Sequence, residues 1–277
     1  MIEAREAFRA GQMQVYVFAS GQEMAAAAAA NTARAPTAAI ESKGTARAIF
    51  ATGNSQLGFV AALREQMEIP WEKITVFHMD EYVGIPANHP ASFRRWIRER
   101  IETAYHPKAV HYIRGDAEDL EAECRRYEAL LREAPIDLVC MGIGENGHLA
   151  FNDPPVADFE DPALVKVVEL DEACRAQQVG EGHFPTLEDV PTHAITLTVP
   201  ALVAPRSLQV VVPEVRKAEA FGGPSEGQST PSVRRASSAT SRTRYSSSTP
   251  SRPPSWDSDD GSFRARVTEH RRCHSAT

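Results

Sequence analysis

The stretch Pro135-Ile136-Asp137-Leu138-Val139-Cys140-Met141 decides the fold together with the segment after it, Gly142-Ile143-Gly144-Glu145-Asn146-Gly147-His148-Leu149-Ala150-Phe151-Asn152-Asp153-Pro154-Pro155. Ile136 to Met141 is a short apolar run ahead of glycines, the pattern of a buried strand. Glycines at 142, 144 and 147 allow a sharp turn and a close approach of backbone to ligand. Asn146, His148 and Asp153 bring three polar groups into that turn and its exit. Open α/β sheets bind their ligands where strands empty into such loops. The plainer reading is a tight turn whose His and Asp satisfy nearby backbone groups, so the rest of the chain has to decide.

Two earlier segments repeat the theme. Ala46 to Ala51 is an apolar run that stops at Thr52-Gly53-Asn54-Ser55, and Leu57, Val60, Ala61 and Arg64 then keep a helical spacing from Ser55 to Met67. Asn54 or Ser55 is the expected N-cap. Strand, glycine turn and helix together aim backbone N–H groups at one spot, a ready site for phosphate. An ordinary capped turn is the alternative. Ile74 to His78 is the next strand, and it runs into Met79-Asp80-Glu81-Tyr82-Val83-Gly84. Neighbouring residues on an extended segment point to opposite faces, so only one of Asp80 and Glu81 is expected in the cleft.

The remaining elements fill in the fold. Gly21 to Ala39 is alanine-rich and reads as one helix, with Pro36 near its end. Ser92 to Thr103 is a basic helix whose arginines alternate with Glu99 and Glu102, a solvated face. Ala117 to Glu133 is amphipathic, with Leu120, Cys124, Tyr127 and Leu131 on one side. Leu164 to Leu170 is β-like, Asp171 caps a short helix to Gln178, and His193 to Val199 alternates as a strand. Ala201 to Ala204 is a short apolar stretch. Ser207 to Val212 is a last strand, and Lys217 just beyond it is placed to reach a phosphate as a point charge. Strands alternating with helices predict an α/β fold, a three-layer, doubly wound, mostly parallel, Rossmann-like sheet.

Composition sets limits. The 277 residues are 42% hydrophobic and 24% charged, enough for one substantial core. A net charge of −7 gives no overall basic surface, so nucleic acid is not an expected partner. No run of about 18 apolar residues exists, so no membrane span is expected. Met1-Ile2-Glu3-Ala4-Arg5 does not open a secretory signal. Cys124, Cys140, Cys174 and Cys273 lack zinc or disulfide spacing, and a reducing cytoplasm is the expected location.

Residues 1–221 therefore read as the α/β domain and 222–277 as an appendage. From Gly222 to Thr277 there is no Leu, Ile, Met or Lys, while Ser, Thr, Arg and Pro dominate. Such a segment buries too little apolar area to offset its ordering entropy, and disorder is expected. An Arg/Ser tail of this kind is one way to bind RNA or carry phosphorylation. The preferred reading is a frameshift near Phe221. Back-translation of Thr230 to Pro250 with GC-rich codons, moved two bases along, can be chosen to read Pro-Ala-Ser-Ile-Leu, then polar residues and a strand. The nucleotide sequence decides this: codons that give that reading in no frame exclude it.

The strand-end motifs resemble the glucosamine-6-phosphate deaminase/isomerase family. The matching residues are Thr52-Gly53-Asn54-Ser55, His78-Met79-Asp80-Glu81-Tyr82-Val83-Gly84 and Gly142 to Pro154, with weaker support from His193-Ala194-Ile195-Thr196-Leu197-Thr198 and Arg216-Lys217-Ala218. The likeness covers roughly Met24 to Ala220. The related 6-phosphogluconolactonases share a Gly-His-x-Ala stretch but lack the Met-Asp-Glu-Tyr and Phe-Asn-Asp/Glu-Pro features, so a lactonase-like hydrolase is the second reading. A non-catalytic sugar-phosphate-binding protein on the same fold is a third.

The resemblance implies conversion of glucosamine 6-phosphate and water to fructose 6-phosphate and ammonia, in amino-sugar catabolism. It implies His148 for ring opening, because imidazole changes charge near neutral pH. It implies Asp80 as the base that moves a proton between C2 and C1, and Asp153 as the acidic partner of His148. Thr52, Gly53, Asn54 and Ser55 would hold the phosphate, with Lys217 adding charge. No metal or organic cofactor is implied, and a homo-oligomer is a possible assembly. Asn146 stands where the family commonly has Asp, and Asp153 is one methylene shorter than the usual Glu. No counterpart of the family's phosphate-binding arginine is found around Gln178-Val179-Gly180.

Overall fold

The structure is a computed structural model that describes residues 2–213, apart from 67, 145 and 155. Lys217 and the segment 222–277 lie outside the described residues. A hairpin of β1 (Glu6–Ala10) and β2 (Met13–Val17) opens the chain. Helices α1 (Gly21–Thr32) and α2 (Arg34–Lys43) come next, where the sequence predicted one. Pro36 lies in the first turn of α2, the one part of a helix where its missing N–H costs nothing. Gly44 ends α2 with φ +82°.

The central sheet is parallel throughout, in the order β10-β7-β3-β4-β6. Its strands are β3 (Ala46–Phe50), β4 (Ile74–His78), β6 (Ala109–His111), β7 (Leu138–Met141) and β10 (Leu208–Val210). Every residue of β3 and β7 is buried, as a strand covered on both faces requires. The chain adds β4 and β6 on one side of β3, then returns to place β7 on the other. The order therefore reverses between β3 and β7, and a doubly wound sheet opens its binding crevice at that reversal.

Two strands predicted as parts of the same sheet join a third, unpredicted one in another. β5 (Asp80–Tyr82), β8 (Val165–Glu169) and β9 (His193–Leu197) make an antiparallel sheet in the order β5-β9-β8. Met79 alone separates β4 from β5, so the chain passes from one sheet to the next at that residue. The link is held by Leu197 N–H donating to the Met79 carbonyl at 2.8 Å.

Helices α3 (Leu57–Ala62), α4 (Phe93–Ile97), α5 (Thr103–Tyr105), α6 (Leu120–Arg132), α7 (Glu172–Gly180) and α8 (Val199–Val203) complete the described elements. Asp119 and Asp171 accept N–H bonds as the side-chain caps of α6 and α7. α3 is shorter than predicted, because Asn54–Gln56 is a 3-10 turn, and neither Asn54 nor Ser55 makes a side-chain cap. α4 continues through a π-helical stretch, Arg98–Glu102, into α5. Its Arg94 is not on the solvated face that the sequence predicted but is buried against Glu81.

The core lies on both sides of the parallel sheet. Phe50, Phe59, Leu63 and Ile97 fill one face, and Phe77, Tyr127, Met141 and Leu202 the other. Each such side chain, fully buried, contributes about 1.5–3 kcal/mol. Arg47 on β3 is buried too, with its guanidinium on the carbonyls of Leu130, Leu131 and Ala134 at the end of α6. No helix among the described residues is long and apolar enough to cross a membrane.

Candidate active site

The C-terminal ends of β3, β4 and β7 meet at one open cleft. Ala51 to Ser55 line it from β3, Met79 and Asp80 from β4, and Gly142 to Gly144 with His148 from β7. The turn out of β3 is made at Gly53, with φ +95°, a conformation that a side chain disfavours. Ser55 Oγ accepts from Gln56 Nε2 at 3.2 Å, and Asn54 Nδ2 reaches the Glu181 carbonyl at 3.4 Å.

Asp80 and Glu81 divide as strand alternation requires. Asp80 lines the cleft at 7% exposure, and its buried Oδ1 has no hydrogen-bond partner among the described residues. Burial first, and the neighbouring Glu81 charge second, push its pKa up to about 8. Glu81 turns the other way into a saturated network. It accepts from Tyr82 N (3.0 Å), Phe93 N (3.1 Å), Ser92 Oγ (2.7 Å), Arg94 N (2.9 Å) and Arg94 Nε (3.2 Å). Arg94 also holds Asp116 at 2.7 Å.

The loop after β7 makes a second polar centre. His148 Nδ1 lies 2.7 Å from Asn146 Oδ1 and 3.1 Å from Asp153 Oδ1. Asn146 Nδ2 donates to the same Asp153 oxygen at 2.7 Å, and Asn146 Oδ1 also accepts the His148 N–H at 3.0 Å. Both partners of Nδ1 are acceptors, so Nδ1 carries a proton, and in the neutral ring Nε2 is the free acceptor. Burial works to raise the Asp153 pKa. The hydrogen bond and charge of His148, aided by Asn146 and the Cys174 thiol, outweigh it and hold the carboxyl below its usual range. Gly144 packs flat against the imidazole, where a Cβ would overlap the ring atoms. Asn152 is structural: its Nδ2 donates to the Leu149 and Leu197 carbonyls, both at 2.8 Å, tying the loop to β9.

The cleft thus gathers Thr52, Gly53, Asn54, Ser55, Asp80 and His148. Asp153 sits behind His148, and Asn146 lines an adjoining hollow with Ala173, Cys174 and Gln177. The sequence reading missed the wall contributed by α7 and the loop after it: Gln177, Gln178, Glu181 and His183. The Asp171 cap signalled that helix, but nothing local signalled that it would close over the cleft. Tyr82 Oη donates to Gln178 Oε1 at 2.6 Å and ties this wall to β5.

Fold and cleft together define a doubly wound α/β protein with two separate groups of ionisable side chains at its strand ends. Residues 19–242 match the family model described as glucosamine-6-phosphate isomerases/6-phosphogluconolactonase, and the chain belongs to that family. A glucosamine-6-phosphate deaminase of Exiguobacterium sp. is 38% identical over 171 residues, 62% of this chain and 65% of that protein. One from Bacillus cytotoxicus is 36% identical over 181 residues, 65% of this chain and 67% of that protein. The chain thus spans about two thirds of the length of these relatives. Among solved structures, a monomeric glucosamine-6-phosphate deaminase superposes with a TM-score of 0.66 at 28% identity, over 79% of this chain and 89% of that one. The 6-phosphogluconolactonase of Thermotoga maritima shares the fold, with a TM-score of 0.54 at 23% identity over 67% of this chain and 78% of that one.

Proposed function

We propose that this protein converts glucosamine 6-phosphate and water to fructose 6-phosphate and ammonia, as an amino-sugar-catabolic enzyme of the cytoplasm. The observation that carries the reading is the Asp80 carboxyl, whose Oδ1 has no hydrogen-bond partner among the described residues, in the same cleft as an oriented His148. The reaction needs two proton transfers at different places on the sugar, and the cleft offers two proton-transfer groups with separate supports.

His148 opens the ring by passing a proton from the C1 hydroxyl to the ring oxygen, while Asp153 and Asn146 hold its tautomer. Asp80 then takes the C2 proton, giving an enediol-like intermediate, and returns it to C1. The C2 amine becomes an imine, which water hydrolyses to the ketone with release of ammonia. A base with a pKa near working pH suits such a transfer, because it must both accept and give the proton. The turn from Thr52 to Ser55 takes the phosphate, with Lys217 adding charge. The family's Asp is replaced by Asn146, whose amide here orients His148 and need not ionise.

Incubation with glucosamine 6-phosphate, with ammonia and fructose 6-phosphate measured together, tests the reading. Equal release of both is expected. Hydrolysis of 6-phosphogluconolactone with no ammonia from the amino sugar would favour the lactonase reading.

A further inference from the structure

His78, the last residue of β4, is fully buried and does not line the cleft, yet it is hydrogen-bonded to a residue that does. Its Nδ1 lies 2.9 Å from the Asp80 carbonyl, and its Nε2 lies 2.9 Å from the Ile113 N–H. A backbone N–H only donates, so Nε2 must be the bare nitrogen. Nδ1 then carries the proton and donates it to Asp80 O. The backbone of His78 is fixed as well. Its N–H donates to Tyr127 Oη at 3.0 Å, and that hydroxyl, with one proton to give, lies 2.9 Å from the His78 carbonyl and 3.2 Å from the His111 carbonyl.

We propose that His78 is a positioning residue for Asp80: its Nδ1–H fixes the Asp80 carbonyl, and so the direction of the carboxyl, where the chain leaves the parallel sheet for the antiparallel one. The inference rests on the assignment of Asp80 as the base. The join needs such a device, because Met79 alone spans it and Asp80 Oδ1 has no bond of its own to hold it among the described residues. The groups around the imidazole keep its role constant. Tyr112 and Tyr127 pack 5.9 and 6.2 Å from it, and Arg94 adds a positive charge nearby. Burial first, opposed by the bond to Asp80, takes the His78 pKa down to about 3, so the ring stays neutral over the working range.

Two substitutions separate positioning from bulk stability. His78→Asn keeps a donor at the δ position facing Asp80, and His78→Gln removes it while keeping a polar group towards Ile113. The expected result is that kcat of His78→Gln falls roughly 10- to 100-fold, as for a reacting group displaced by about an ångström, with KM nearly unchanged. His78→Asn should stay within about threefold of wild type in kcat. The Asp80 carboxyl, titrated by carbon-13 NMR without substrate, should shift in His78→Gln and not in His78→Asn. Equal loss in both variants, or an Asp80 titration that moves in neither, overturns the proposal. Absence of turnover in the wild type would instead count against the proposed function, and the NMR titration still decides this one.

Discussion

Asp80 and Glu81, adjacent in sequence, carry carboxyls with opposite surroundings: Glu81 accepts five hydrogen bonds, whereas Asp80 Oδ1 accepts none among the described residues. The satisfied carboxylate anchors the start of α4. The unsatisfied one is the proposed base, and the difference makes the pair testable on both stability and chemistry.

Asp80 costs the fold stability at neutral pH. Its folded pKa of about 8 lies above the unfolded value, so the folded state holds a proton that the unfolded state has lost. Stability therefore falls as pH rises from roughly 4 to about 8, where the penalty is complete. Asp80→Asn removes it. The variant should melt like wild type near pH 4 and above it near pH 8, by on the order of a few kcal/mol. Thermal melts across that range check this.

Glu81→Gln should destabilise. It leaves the buried Arg94 with Asp116 as its remaining carboxylate partner, and removing one member of a buried pair costs about 3 kcal/mol or more. Urea unfolding measures the loss. The same change removes the charge that repels the Asp80 carboxylate, so the limb of the activity profile due to Asp80 should move to lower pH.

Gly144→Ala should uncouple activity from stability. The new methyl must push the His148 imidazole away from Asn146 and Asp153. Turnover should drop about 100-fold, the usual scale for losing a positioned proton-transfer group. The melting temperature should change little, because His148 lines an open cleft and is not part of the core.

Asn146→Asp exchanges a donor for a second carboxylate against Asp153. Two carboxylates in contact cannot both ionise freely, so one pKa must rise by roughly a unit or more. Activity of this variant should show a pH profile shifted upward relative to wild type, read from kcat/KM against pH. An unchanged profile would mean that this pair does not govern His148.

Much of this site was legible because its residues sit beside the strands that place them. The apolar runs before Thr52, Asp80 and Gly142 predicted the strand ends, and strand alternation separated Asp80 from Glu81. The antiparallel sheet was not legible, because Leu164 to Leu170 and His193 to Val199 have the same local pattern whichever sheet they join. Arg94 looked like one arginine of a solvated run, since its partner Glu81 lies 13 residues away. The wall from Gln177 to His183 was hidden for a related reason: packing of α7 over the cleft depends on Tyr82 and Asn54, far off in sequence. The Asn54–Gln56 turn shows the limit of capping signals, because the side chains expected to cap α3 face the cleft's other walls.

The most direct test of the account is removal of the C2 proton by Asp80. Glucosamine 6-phosphate deuterated at C2 should lose its C2 label with wild-type protein as fructose 6-phosphate and ammonia form. With Asp80→Asn the rate of that loss should fall by about 10²–10⁴, the contribution expected of a general base. Loss of the C2 label at the wild-type rate in Asp80→Asn would contradict the account.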